Sequence, residues 1–315
     1  SDVYKRQIWL TGQEPVQVLD IDGDPRAYPL AILIWHEIVN DIVGGVPVVV
    51  TYCPLCNSAL VFERQVDGRL LDFGTTGNIR NADLIMYDRQ TESWWQQFEG
   101  QAIAGELTGR ELTSVPSNIV SFNDFKTQYP EGLVLSINTG FDRRYGENPY
   151  INYDALTNSR TKYFDGETDD RLPPKMRVLA LSLGDSAVAY PFANLKLEKV
   201  VNDSGDEQVF VVFWEGGTLS PLYAPLIFES KEVGSAAAFN REINGQVLTF
   251  EPGTETPARD LETGSSWNIF GTAVDGPLTG EQLTPLPAHE FFWFAWAAFQ
   301  PDTIIYGDEA GTGNE

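Results

Sequence analysis

The chain carries two cysteines and two histidines, and the cysteine spacing is the feature best suited to chemistry. Cys53 and Cys56 lie in residues 48–60, VVVTYCPLCNSAL, as a Cys-Pro-Leu-Cys turn between two apolar runs. Proline fixes the first step of such a turn, and the two sulfurs then converge on one point with backbone amides nearby. A pair of this kind suits zinc, copper(I) or an iron–thiolate centre. The same spacing also serves a redox disulfide or two inert buried thiols, so it does not decide the chemistry alone.

His36, in Ile34-Trp35-His36-Glu37, sits near the end of an apolar stretch expected to be helical. One reading is a core histidine bonded to a backbone carbonyl; the other is a third ligand beside Cys53 and Cys56. His289 opens HEFFWFAWAAFQ, residues 289–300, which reads as a helix apolar nearly all round and hence buried. In a first helical turn the positive end of the helix dipole favours the neutral, metal-binding imidazole. His289 is therefore either a polar cap or a fourth ligand, and in the latter case the metal lies between two parts of the chain.

Residues fit to orient these ligands are Tyr52, Trp35, Glu37, Arg80, Asp83 and Trp95. For Arg80, Asp83, Asp88, Arg89 and Glu92 the ordinary alternative is a salt-bridged surface. For Trp94 and Trp95 it is a place in the core, although a tryptophan beside an open site can stack on a ring. Residues 77–97 read as a strand followed by a turn. There is no GxSxG, HExxH, phosphate-binding loop or dinucleotide fingerprint.

The elements that must position these groups occur in two similar sets. Residues 27–41, AYPLAILIWHEIVND, match residues 189–203, AYPFANLKLEKVVND, at 8 of 15 positions. Residues 100–116, GQAIAGELTGRELTSVP, match 271–287, GTAVDGPLTGEQLTPLP, at 9 of 17. Asp88, Thr91, Trp95 and Phe98 correspond to Asp260, Thr263, Trp267 and Phe270 in the same order. The expectation is an internal duplication giving a β-rich α+β fold of two pseudo-symmetric lobes, residues 8–137 and 177–307, joined by residues 138–176. Each lobe should open with a strand and a short helix begun by Pro29 or Pro191, with Gly44-Gly45 ending the first helix. Asp67-Gly68 and Asn244-Gly245 should turn hairpins. Tyrosines at 145, 150, 153 and 163 suggest that the connecting segment packs onto something.

The duplication also serves as an internal control. Glu198 stands opposite His36, Glu215 and Thr218 opposite Cys53 and Cys56, and Asn118 opposite His289. All four candidate ligands are thus specific to one half of a shared frame.

Composition narrows the partners. Hydrophobic residues at 42% exclude a disordered chain, and no apolar run approaches the roughly 20 residues that span a bilayer. A formal charge of −24, from 45 acidic and 21 basic residues, disfavours nucleic acid and anionic lipid surfaces. Residues 1–7, SDVYKRQ, read as a non-native remnant such as translated adaptor sequence, so that the natural start and any export signal lie elsewhere. Residues 308–315 read as a disordered tail.

These segments resemble a bacterial and archaeal family, domain of unknown function 3179. The resemblance rests on residues 27–41, on GGVPVVVTYCPLCNSALVF, on residues 80–97 and on FFWFAWAAFQPDT. The family pattern has Gly after the second cysteine, where this chain has Asn57. The resemblance implies no reaction, but it implies a location outside the cytoplasm, where free thiols persist best when metal holds them. The reading preferred on sequence is a copper-dependent redox enzyme or copper carrier, since two thiolates with imidazole match copper(I). Zinc (structural or hydrolytic), a thiol–disulfide oxidoreductase using Cys53 and Cys56, and a polysaccharide-binding module remain the alternatives. A small-molecule substrate is compatible with each of the enzyme readings.

Overall fold

The computed structural model describes residues 9–308, apart from residues 160, 162, 185 and 207. The expectations for residues 1–7 and for 309–315 of the tail lie outside the described residues. Strand accounts for 42% of the chain and helix for 10%, so sheets, not helices, set the architecture. The four helices have seven residues each, about two turns, which is too short to stand without tertiary packing.

The cysteine turn hangs on a sheet whose strand order is Ser114–Val115, Ser58–Glu63, Val46–Cys53, Ile38–Val43. Val48, Val49 and Val50 are fully buried, as a β-branched run between two faces requires. Gly44 and Gly45, at φ 55° and 82°, turn the hairpin between Ile38–Val43 and Val46–Cys53. They do not end the preceding helix, as expected from sequence. Leu30–His36 stops earlier, where Glu37 adopts a left-handed φ of 61° and its N–H donates to Leu33 O. Asp67-Gly68 and Asn244-Gly245 do turn hairpins, both residues of each pair having positive φ.

Sheet orders recur along the chain. Pro15–Leu19 and Arg26–Pro29 pair antiparallel, flanked by Asn118–Ser121 and by the parallel Leu133–Val134. Arg177–Leu183 and Ser186–Pro191 pair likewise, flanked by His289–Phe292 and the parallel Ile304–Ile305. One polar node also occurs twice. Trp95 Nε1 donates to Asp88 Oδ2 at 2.9 Å and Trp267 Nε1 to Asp260 Oδ2 at 2.9 Å. The N–H groups of Thr91 and Thr263 meet the other oxygen of the same carboxylates at 2.6 Å.

Residues 289–300 depart from expectation. His289–Phe292 is a strand paired with Arg177–Ala180, and the helix is Trp293–Phe299 only. A fully apolar run has no polar face to report its period, so the pairing partner decides the form. His289 accordingly lies opposite Ala180 and not in a helical turn. This stretch joins one core with Val48, Val49, Val50, Cys53, Cys56 and Leu60. A second core joins Val16, Val18, Val120 and Phe125 with Val211, Phe213, Phe239 and Trp267. These two cores draw on both halves of the sequence, and a third, around Leu179, Tyr190, Phe210 and Trp214, on the second alone.

Candidate metal centre

Cys53 ends the strand Val46–Cys53 and pairs with Ser58, so Pro54, Leu55, Cys56 and Asn57 form the connecting turn. Asn57 has φ 55°, a conformation that glycine adopts freely and asparagine tolerates better than most residues. Asn57 thus stands where a glycine would meet the same backbone demand. Tyr52 hydroxyl donates to Asn57 Oδ1 at 3.4 Å, Tyr153 hydroxyl to Leu55 O at 3.1 Å, and Phe292 N–H to Cys56 O at 2.8 Å. The turn is therefore held from three directions.

Opposite it lies a second turn, between the strands Phe73–Arg80 and Asp83–Asp88. Asn81 and Ala82 both have positive φ, 53° and 63°. For alanine that conformation costs about 1 kcal/mol or more. The conformation is accompanied by a specific contact: both thiols donate to Ala82 O, Cys56 at 3.2 Å and Cys53 at 3.6 Å. The next residue, Asp83, brings its carboxylate to the sulfurs. One oxygen of Asp83 and the two Sγ atoms all lie within 4.8 Å of one another.

Burial is near complete, with Cys53 at 2% exposure and Cys56 and Asp83 at 0%. Asp83 Oδ2 accepts from Gln96 Nε2 and from Phe98 N–H, while Oδ1 has no hydrogen-bond partner among the described residues. One oxygen is thus anchored and the other left for a further interaction. Burial raises the Asp83 carboxyl to about 7, against the opposing pull of Gln96 and Phe98. Burial first, and then Cys53 and Asp83 as neighbours, hold the Cys56 thiol well above its ordinary value. Buried side by side, the Cys56 thiol and the Asp83 carboxyl both resist ionisation, and a bound cation removes that resistance.

The histidines stand apart from this group. Neither has a ring nitrogen in it. His36 Nε2 is 2.6 Å from Tyr145 hydroxyl, which in turn meets Thr139 Oγ1, and Phe141 packs against the ring. Tyr145 belongs to the connecting segment, which does pack onto the fold as its tyrosines suggested. His289 is 8% exposed, and neither of its nitrogens has a partner among the described residues. Burial alone brings its imidazole down to about 4, so the ring is neutral, but no helix dipole is involved.

The remaining candidates also separate. Asp83 and Asp88 are fully buried and not part of a salt-bridged surface, because each faces a sheet interior where donors are aimed at it. Arg80 lies half-exposed, 3.9 Å from Glu99. Trp95 is a core residue at 0% exposure and Trp94 is 40% exposed. Trp35 is partly buried against the first core, and Glu37 O accepts Tyr52 N–H at 2.8 Å. Sequence reasoning missed the Ala82 carbonyl, the Gln96 anchor and Lys175. The Lys175 ammonium is buried 3.5 Å from the centre of the Tyr153 ring, beside Phe294 and Phe292. Burial brings it down to about 7, with Cys56 as its largest opposing neighbour. A lysine directly after Pro173-Pro174 gives no sequence signal of such a cage.

The family model described as Protein of unknown function (DUF3179) matches residues 1–303, nearly the whole chain. The chain belongs to the DUF3179 family. No curated protein and no solved structure matches it. The site of this DUF3179 member must therefore be read from its own atoms.

Proposed function

We propose that the protein binds a single zinc ion through Cys53 Sγ, Cys56 Sγ and Asp83 Oδ1, with Ala82 O as the nearest further donor. The observation that carries this reading is the convergence of two thiols and one carboxylate in a single fully buried cluster. Zinc accepts thiolate and carboxylate together, whereas copper(I), the first choice on sequence, prefers sulfur and imidazole. With His36 taken up by Tyr145, a copper ion would rely on the two sulfurs alone. Near-complete burial suits a closed structural site better than a catalytic one that must admit substrate. A role in fastening the Cys-Pro-Leu-Cys turn to the Asn81-Ala82 turn follows, and metal-held thiols suit a protein working outside the cytoplasm.

The two halves derive, in this reading, from a duplication. Support comes from the repeated sheet orders and from the matching Asp88–Trp95 and Asp260–Trp267 nodes. In the half without cysteines Thr218 Oγ1 is bonded at 2.6 Å to Oγ of Ser235, which opens the strand paired with Gln208–Glu215 as Ser58 opens the strand paired with Val46–Cys53.

Elemental analysis of protein purified without a metal-binding tag tests this directly. We expect about one zinc per chain, lost in Cys56→Ser and strongly reduced in Asp83→Asn. Cobalt substitution should give a thiolate charge-transfer band. Stoichiometric copper, or a Cys53–Cys56 disulfide without metal, would overturn the assignment.

A further inference from the structure

The fold builds one kind of cavity twice, where the sheet of one half meets strands of the other. One cavity, of about 330 Å³, is lined by Phe62 and Phe98 from the first half and by Pro287 and His289 from the second. The other, of about 500 Å³, is lined by Phe239 and Phe270 from the second half and by Pro116 and Asn118 from the first. The paired sequences match Phe98 with Phe270, Pro116 with Pro287 and Asn118 with His289. The phenylalanine and proline walls are common to both cavities, and the polar residue between them differs.

His289 distinguishes the smaller cavity. Its ring lines the wall, is more than nine-tenths buried, and has both nitrogens without a hydrogen-bond partner among the described residues. Leaving such atoms unpaired in a protein interior is costly. A buried neutral imidazole presents one N–H donor and one lone pair. Around it the walls are aromatic, from Phe62, Phe98, Phe291 and Trp296, and among the described residues the only other ionisable group in the lining is the carboxylate of Glu99. Such a cavity repels anions and favours a flat apolar body.

We propose that the His289 cavity is a binding site for a small uncharged aromatic molecule bearing a hydroxyl group, which the imidazole recognises. A hydroxyl can donate to one ring nitrogen or accept from the other, and the ring fills the space between the phenylalanines. This site is independent of the zinc reading, since none of the residues that would hold the metal lines it.

Titration calorimetry on the full chain, with p-cresol and toluene as probes, tests the proposal. Saturable p-cresol binding about tenfold tighter than toluene is expected, with His289→Leu losing about that factor for p-cresol and little for toluene. No saturable binding of p-cresol, or equal affinities for the two probes, overturns it. Ser114→Trp, at the exposed rim, keeps the imidazole and should abolish p-cresol binding; unchanged binding in that variant overturns the location. Should His289→Leu not fold, the wild-type comparison of the two probes and the Ser114→Trp result decide the matter.

Discussion

Replacing His289 by leucine should make the protein more resistant to acid, and the amount follows from the burial of the ring. In the folded chain the imidazole stays neutral down to about 4, whereas an unhindered histidine takes up its proton near 6.5. Between those values the unfolded chain binds a proton that the folded chain refuses. The stability linked to His289 is therefore complete above about pH 6.5 and is lost as pH falls towards 4. In the acid limit the gap amounts to about 3 kcal/mol, and by about pH 5 roughly 2 kcal/mol of it has gone. Burial is complete at the ring nitrogens, so solvent screening does not dilute this figure. Glu290, whose carboxyl burial raises to about 7, acts with the opposite sign, losing stability as pH rises from about 4.5 to 7. Glu290 is present in both proteins and cancels in their difference. Urea unfolding followed by tryptophan fluorescence at about pH 7.5 and about pH 5 gives that difference. Wild type should lose about 2 kcal/mol more than His289→Leu over that interval. Parallel pH profiles for the two proteins would refute the argument, because they would mean that the ring is solvated or protonated in the folded state.

Gln96→Ala should weaken metal binding about 10- to 100-fold without removing a donor, since Gln96 fixes the Asp83 carboxylate; competition with a chromophoric chelator measures this. At Asn57, glycine should be tolerated within about 1 kcal/mol, whereas valine should cost about 2 kcal/mol or more through its positive φ, read from urea midpoints. Trp95→Phe and Trp267→Phe should each destabilise by about 2 kcal/mol, since each removes an N–H from a buried carboxylate, and unequal losses would count against equivalence of the two nodes. Arg177→Met should cost about 3–5 kcal/mol in thermal or urea unfolding, because it leaves Asp154 and Glu290 buried with less countercharge.

Much of the fold was legible because its signals are local. Asp67-Gly68 and Asn244-Gly245 name their own turns, and Pro29 and Pro191 mark where helices begin. The recurrence of residues 27–41 in 189–203 predicted paired elements, and sheets of matching strand order occupy those places. What failed was the form of residues 289–300, for want of a polar face, and the end of Leu30–His36, which a left-handed glutamate sets. Neither outcome has a compositional marker. A run such as HEFF becomes a strand because Arg177–Ala180 offers it hydrogen bonds, and that partner is more than a hundred residues away along the chain.

The candidate site divides along the same line. The two sulfurs were legible because one turn contains both. The third group of the cluster was not legible in this way: imidazole is a common companion of thiolate, so residue type points to the two histidines, whereas the acidic group beside the sulfurs is Asp83. On sequence Asp83 is one of several residues fit to orient the ligands, and it comes to the sulfurs only when the Asn81-Ala82 turn is folded against the cysteine turn. What marks it in three dimensions is its carboxylate beside both sulfurs, with Oδ2 held by Gln96 and Phe98 and Oδ1 without a hydrogen-bond partner among the described residues. Asp88 and Asp260 have both oxygens satisfied, and Glu290, whose Oε1 has no hydrogen-bond partner among the described residues, lies beside a guanidinium, whereas Asp83 lies beside two thiols. Asp88 and Asp260 hold sheets together in both halves, whereas the two thiols beside the Asp83 carboxylate are the reason to look for a cation there.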